Sequence, residues 1–177
     1  MVSKMNTRKS LILCFMSGLL LLPLLANQAN AAEHDLTFAV SGVVESIKVK
    51  IGDQVKVGTV LAILDLTTFN AVKRSTEATR TSAKVMLGFA EVKMKQAQEL
   101  FDALSTSGEE VERAEVEYAK AFSDYQNARS QDEIANWRLQ RATLKAPFSG
   151  IVSAVPGYPG IVVDISASNQ TVVVIRK

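Results

Sequence analysis

The 177-residue chain holds one cysteine, one histidine and one tryptophan. Cys14 lies inside the first apolar run, so the rest of the chain offers neither a disulfide nor a thiol nucleophile. His34 is the sole imidazole and is expected in an unstructured start ahead of the first strand. The usual zinc clusters and nucleophile–base pairs are thereby excluded. A glycine-rich phosphate loop is missing too. Basic charge is scarcer than the formal net charge of +2 suggests. Three of the 20 lysines and arginines fall within residues 1–31 and none of the 18 acids does, so the remainder carries −1. That balance implies no nucleic-acid surface. These absences argue against an enzyme and leave binding or scaffolding as the classes to weigh.

The first residues read as an address. Lys4, Arg8 and Lys9 precede an apolar run from Leu11 to Leu25, and Ala29-Asn30-Ala31 supplies a small-residue cleavage site. Ser17, Gly18 and Pro23 interrupt the run, which falls short of the ~20 residues of a spanning helix. A cleaved secretory signal over residues 1–31 is expected, with an uncleaved membrane anchor as the alternative. No small-residue lipobox precedes Cys14, so lipidation there is not expected.

None of the four prolines falls between positions 67 and 142, and apolar residues recur there at helical spacing. In the second half Val111, Ala114, Tyr118, Ala121, Tyr125, Ala128, Ala135, Leu139 and Ala142 stand three and four apart, with Asp132 the one charged residue on the seam. This is the step of a coiled coil. The first half repeats it less cleanly through Ala83, Met86, Ala90, Ala97, Leu100 and Leu104, interrupted by Lys93. Lys73, Arg74, Arg80, Lys84 and Lys95 are assigned to the outward face, where a solvated surface is the plain expectation. Between the halves Ser107 and Glu110 have capping-box spacing, and Glu109, Glu110 and Glu112 suit the positive end of a new helix. Two antiparallel helices over 67–142 are predicted, each roughly 50 Å long at 1.5 Å per residue. Alanines dominate the seam and the buried stripe is narrow, so the pair reads as a projecting rod.

Either side of the rod the period changes to that of strands. Val43, Val44, Ile47, Val49 and Ile51 lead to the turn Gly52-Asp53; Val55 and Val57 lead to Gly58; Val60-Leu61-Ala62-Ile63-Leu64 closes the first segment, 32–66. In the last segment, 143–177, Ser149-Gly150-Ile151-Val152 echoes Ser41-Gly42-Val43-Val44, while Gly160 matches Gly52 and Val163 matches Val55 at the same offset. Extra residues Ser166 to Gln170 then shift the register, and Val172-Val173-Val174-Ile175 is aligned with Val60-Leu61-Ala62-Ile63. Each half is too small to bury a core. The fold class expected is α+β: a lipoyl-like β-sandwich assembled from two sequence halves with a pseudo-twofold axis, interrupted by a long antiparallel coiled-coil hairpin.

Gly42 to Gly58 (GVVESIKVKIGDQVKVG) resembles the first half of a biotinyl/lipoyl domain, and Leu144 to Val152 (LKAPFSGIV) resembles the start of the second. A hairpin between such halves is similar to the membrane fusion proteins, the periplasmic adaptors of the HlyD and AcrA type. The resemblance covers nearly the whole chain after the signal. It implies a non-catalytic adaptor in the periplasm, or held at the inner membrane, linking an inner-membrane transporter (ABC or proton-driven) to a TolC-like outer-membrane channel. It also implies self-association into a ring. The family's Arg-x3-Leu-x6-Ser tip pattern, laid on this chain, matches Leu100 and Ser107 and puts Gln96 where the arginine would be. Together with Leu104, these residues are the candidate partner contacts at the tip. No catalytic or metal-binding residue is assigned. In carrier domains a lysine occupies the turn that the hairpin replaces here, and Lys145 lies on the strand beyond it, so no biotinyl or lipoyl cofactor is expected. A periplasmic scaffold without a transport role and, behind it, a group carrier are the alternatives.

Overall fold

The computed structural model describes residues 32–167 and 170–177; the expected signal sequence lies outside the described residues. Four short strands precede the helices: β1 (Glu33–Leu36), β2 (Gly42–Ile47), β3 (Gln54–Val55) and β4 (Val60–Leu64). Four follow them: β5 (Thr143–Lys145), β6 (Gly150–Ala154), β7 (Val162–Val163) and β8 (Val173–Arg176). They form two four-stranded antiparallel sheets in the orders β1-β8-β6-β3 and β5-β4-β2-β7. Each sheet takes two strands from each half, so neither half completes a sheet, let alone a core, without the other.

The backbone obeys the pseudo-twofold bond by bond. The Val44 N–H donates to Ile161 O at 2.9 Å, and the Gly160 N–H donates to Val44 O at 2.8 Å. On the equivalent side the Val152 N–H donates to Asp53 O, and the Gly52 N–H to Val152 O, both at 2.9 Å. Gly52 and Gly160 take φ of +93° and +92°, the left-handed turn conformation that side chains resist.

The last strand of each half corrects the alignment read from sequence. Pairing sets Val44 opposite Leu64 and Val152 opposite Ile175, each followed by the same register irregularity. The equivalent runs are therefore Leu61–Leu64 and Val172–Ile175, one residue away from the Val60–Ile63 match. Burial agrees: Leu61, Ala62 and Leu64 are buried, as are Val172, Val173 and Ile175, with Ile63 and Val174 half-buried at the same place. An all-apolar run carries no alternation from which to read its register. The chain start is a second correction. His34 is not in an unstructured lead but in β1, opposite Ile175, with its ring edge-on to Phe148 at 4.8 Å between centroids. Residues 33–35 are exposed, so β1 has no apolar alternation; it covers the edge of β8 by backbone pairing, with Leu36 packed against the core and His34 against Phe148.

The helices are α1 (Thr67–Asp102) and α2 (Gly108–Arg141), of 36 and 34 residues. Their base is tied to the sheets: the Leu64 N–H donates to Ala142 O at 2.9 Å and the Asp65 N–H to Val43 O at 2.8 Å. The Asp65 carboxylate accepts the Thr67 N–H at 2.8 Å, and this bond holds its pKa below the ordinary value. Lys73 meets Asp132 near the base and Lys93 meets Glu117 nearer the turn, so the helices run antiparallel.

On α2 every seam residue read from the sequence is buried or half-buried. On α1 the seam differs. It runs through Phe69, Lys73, Thr76, Arg80, Ala83, Leu87, Ala90, Met94 and Ala97, in steps of four and three. Met86, Leu100 and Leu104, assigned to the seam from sequence, are 60%, 51% and 93% exposed. Ala83, Ala90 and Ala97 mark the repeat correctly, but the intervening contacts, Leu87 and Met94, lie four residues beyond Ala83 and Ala90, not three. Lys93 does not interrupt the seam; it flanks it, with Nζ 3.2 Å from Glu117 Oε2.

Lys73 and Arg80 are likewise not on the outward face. Lys73 Nζ donates to Asp132 Oδ1 at 2.8 Å, Thr76 Oγ1 donates to the same oxygen at 3.2 Å, and Arg80 Nε lies 3.1 Å from Oδ2. The Lys73 hydrogen bond, outweighing burial, lowers the Asp132 pKa below its ordinary value and raises that of Lys73. A polar group on an otherwise apolar seam fixes register, because a slip of either helix would leave the carboxylate without its cations.

Candidate partner-binding tip of the hairpin

The far end of α1 terminates by local backbone bonds. The Leu104 N–H donates to Phe101 O at 2.9 Å and the Ser105 N–H to Leu100 O at 2.8 Å. This is the Schellman pattern, whose pivot residue is left-handed and usually glycine. Here the pivot is Leu104, with φ +56°, among the described residues the one non-glycine residue of positive φ. The conformation costs a side-chain-bearing residue about 1–2 kcal/mol. Leu104 is 93% exposed, so burial returns nothing. Leu104→Gly is expected to stabilise the protein by about 1 kcal/mol, the steric relief exceeding glycine's entropy loss. A higher denaturant midpoint would confirm the strain; a lower one would deny it.

Ser107 occupies the N-cap of α2 with extended backbone, but its side chain makes no capping bond, so the capping box expected with Glu110 does not form. The Glu110 N–H instead donates to the Ser107 backbone carbonyl at 3.2 Å. The Glu110 carboxylate turns toward Arg113, whose two terminal nitrogens reach Glu110 and Glu109, each at 3.1 Å. A charge-assisted bond one turn along the helix outcompetes the reach back to the cap.

Gln96 and Leu100 lie together in a shallow cleft lined also by Ala97 and Ala114 and by two ion-paired bases and two acids, Lys93 with Glu117 and Arg113 with Glu110. Leu104 and Ser107 lie outside it, at the apex and at the start of α2. The sequence reading missed Phe101, which is 42% exposed and lies over Gly108, 3.7 Å from where a Cβ would stand. It also missed Arg113, though its spacing from Glu109 and Glu110 could have shown the pairing. Between positions 96 and 113 five acids (Glu99, Asp102, Glu109, Glu110, Glu112) face one base, Arg113. The exposed Lys145 lies on β5 and not at a turn, since β4 leads straight into α1. Among the described residues no group of His, Cys, Asp and Glu is placed to hold a metal, and no helix is long and apolar enough to cross a membrane.

The profile of the CzcB-like barrel-sandwich hybrid domain matches residues 33–174, which take in both sheets and the whole hairpin. The chain belongs to this family. Among solved structures, the CzcB-like chain is similar to a MacA–MexA chimeric protein containing the Pseudomonas aeruginosa MexA alpha-hairpin domain, with 25% identity and a TM-score of 0.63. That match covers 82% of this chain and 48% of the chimera. It shares its fold with the membrane fusion protein Spr0693 of Streptococcus pneumoniae R6 (18% identity, TM-score 0.62, covering 82% of this chain and 61% of that one). ZneB of Cupriavidus metallidurans is similar to the same degree (18% identity, TM-score 0.60, 84% and 62% covered). The chain thus spans about half to three fifths of the length of these relatives. A comparison with curated proteins gives no match. The hairpin of this CzcB-like chain is thus inserted in a barrel-sandwich hybrid domain, and the fold is shared with the MacA–MexA chimera and with a membrane fusion protein.

Proposed function

We propose that the chain is a membrane fusion protein, a periplasmic adaptor exported by its signal sequence that links an inner-membrane transporter to a TolC-like outer-membrane channel in efflux or secretion. The observation that carries the reading is the tip: two helices of 36 and 34 residues hold exposed Leu100 and Leu104 far from a domain already satisfied by its own core. The hairpin tips would extend the channel's helices, with Leu100 packing between ridges and Gln96 beside it in the cleft. Ser107, not engaged in capping α2, has its hydroxyl free for the channel.

Lateral assembly supplies the ring. On α1 the positions Ala71, Ser75, Ala78, Ser82, Val85, Phe89, Val92 and Gln96 form an outward stripe without a charge, and Val85, Phe89 and Val92 are each more than half exposed. α1 carries six basic and four acidic residues, α2 five basic and eight acidic. Exposed Val116, Phe122, Ile134 and Trp137 give α2 apolar surface for the α1 stripe of the next copy, with the opposite net charges of the helices steering the approach. Such a head-to-tail contact forms a ring when its rotation closes.

Leu100→Asp tests the tip directly. Since Leu100 is half exposed and off the seam, the variant should fold normally. Channel co-purification and transport should both be lost, because an ionised carboxylate cannot be buried unpaired. A folded Leu100→Asp protein with full transport would contradict the assignment.

A further inference from the structure

We infer that the hairpin tip is shaped for a partner surface that offers an apolar socket inside a basic rim, and that it selects among outer-membrane channels by this charge. The inference rests on the proposed docking of the tip and adds the chemistry of the surface it meets.

Two features of the tip run against local physics, and they lie within one turn of each other. Leu104 holds a strained backbone and an almost fully exposed side chain, where glycine would be easier in both respects. Glu99 and Asp102 sit at the C-terminal end of α1, where the helix dipole disfavours carboxylates, and the last turn has no basic residue to offset them. Glu109 and Glu110, by contrast, suit the start of α2 and pair with Arg113, so folding alone explains them. The one local return is a hydrogen bond from Gln98 Nε2 to Asp102 Oδ1 at 3.0 Å; among the described residues Glu99 and Leu104 have none, and such broken local rules are where function is expected. Around Phe101 and Leu104 the apex presents five acids and one already paired arginine, while the cleft at Leu100 adds Lys93, itself paired with Glu117. Apolar side chains ringed by carboxylates complement an apolar socket ringed by lysine or arginine. Gln96 adds no further positive charge beside Lys93 and Arg113, both already ion-paired.

The test uses the tagged full chain, co-purified from detergent-solubilised envelopes, with the recovered outer-membrane channel identified and quantified by mass spectrometry. Leu104→Gly and the double variant Glu99→Lys/Asp102→Lys are both expected to be at least as stable as wild type, since each relieves a local conflict. Each is nevertheless expected to recover about tenfold less channel or lower, and wild-type recovery should fall as salt is raised. If wild type recovers the channel and the charge-reversed variant recovers as much or more, the basic rim is wrong while the docking stands. If wild type recovers no outer-membrane channel, the docking reading fails and this inference with it.

Discussion

Gly150→Ala is expected to cost about 3 kcal/mol, the upper range for forcing atoms into a packed core. A Cβ at Gly150 would stand 2.5 Å from the Arg176 carbonyl oxygen and 2.7 Å from Ile175 Cγ2. The first is backbone of the paired strand β8 and cannot swing aside without breaking the ladder that places Val152 opposite Ile175. A loss of this size is a large share of a domain's net stability of about 5–15 kcal/mol. The pseudo-symmetric partner gives an internal control. At Gly42 the added Cβ meets Leu64 Cδ1 at 3.0 Å, the end of a flexible side chain, so Gly42→Ala should cost about 1 kcal/mol or less. Urea unfolding of both variants measures the difference; equal midpoints would show that β6 and β8 do not approach so closely.

Asp132→Ala is expected to loosen the hairpin and lower its melting temperature by several degrees, because Lys73 would keep only the longer 3.6 Å pairing with Glu77 and Arg80 would lose its carboxylate. Their partial exposure lets both swing toward water, which keeps the loss below that of a sealed ion pair. The pH profile carries a sign. Asp132 is held below its ordinary pKa, so its contribution is complete above that value and is lost as pH falls through the depressed folded value, below about pH 4. Lys73 is raised, so its share is present below its ordinary pKa and is lost only as pH rises through the raised one. Melting temperature should therefore be flat from neutral to mildly acidic pH and fall below it. Asp132→Asn, which keeps the shape without the charge, should flatten the acid limb. An unchanged acid limb in Asp132→Asn would show that other carboxylates govern it.

The same cluster marks where sequence patterning stopped informing. The seam of α2 was legible because alanine, tyrosine and leucine recur at its contacts. The α1 seam near the base is Lys73, Thr76 and Arg80, residues that a pattern of apolar side chains assigns to solvent until Asp132 is seen opposite them. The repeat in the strands was legible from glycines, since Gly52 and Gly160 answer a backbone demand and so mark equivalent places. Its last register was not, because Leu61–Leu64 and Val172–Ile175 are apolar throughout. The start of β1 left no alternation to read: Glu33, His34 and Asp35 are exposed, and only Leu36 packs against the core. At the tip the candidate positions came from resemblance, whereas the left-handed Leu104 and the idle Ser107 hydroxyl needed coordinates. A capping box is a matter of spacing until Arg113 competes for the glutamate.

The adaptor role itself is tested most directly by placing a photo-crosslinking residue at position 106, beside Leu104 on the apex, in intact cells, and identifying the adducts by mass spectrometry. The account predicts an adduct with an outer-membrane channel protein, mapped to that channel's periplasmic end. Adducts only between copies of this chain, with the protein folded and abundant, would contradict it and leave the hairpin a scaffold without a transport partner.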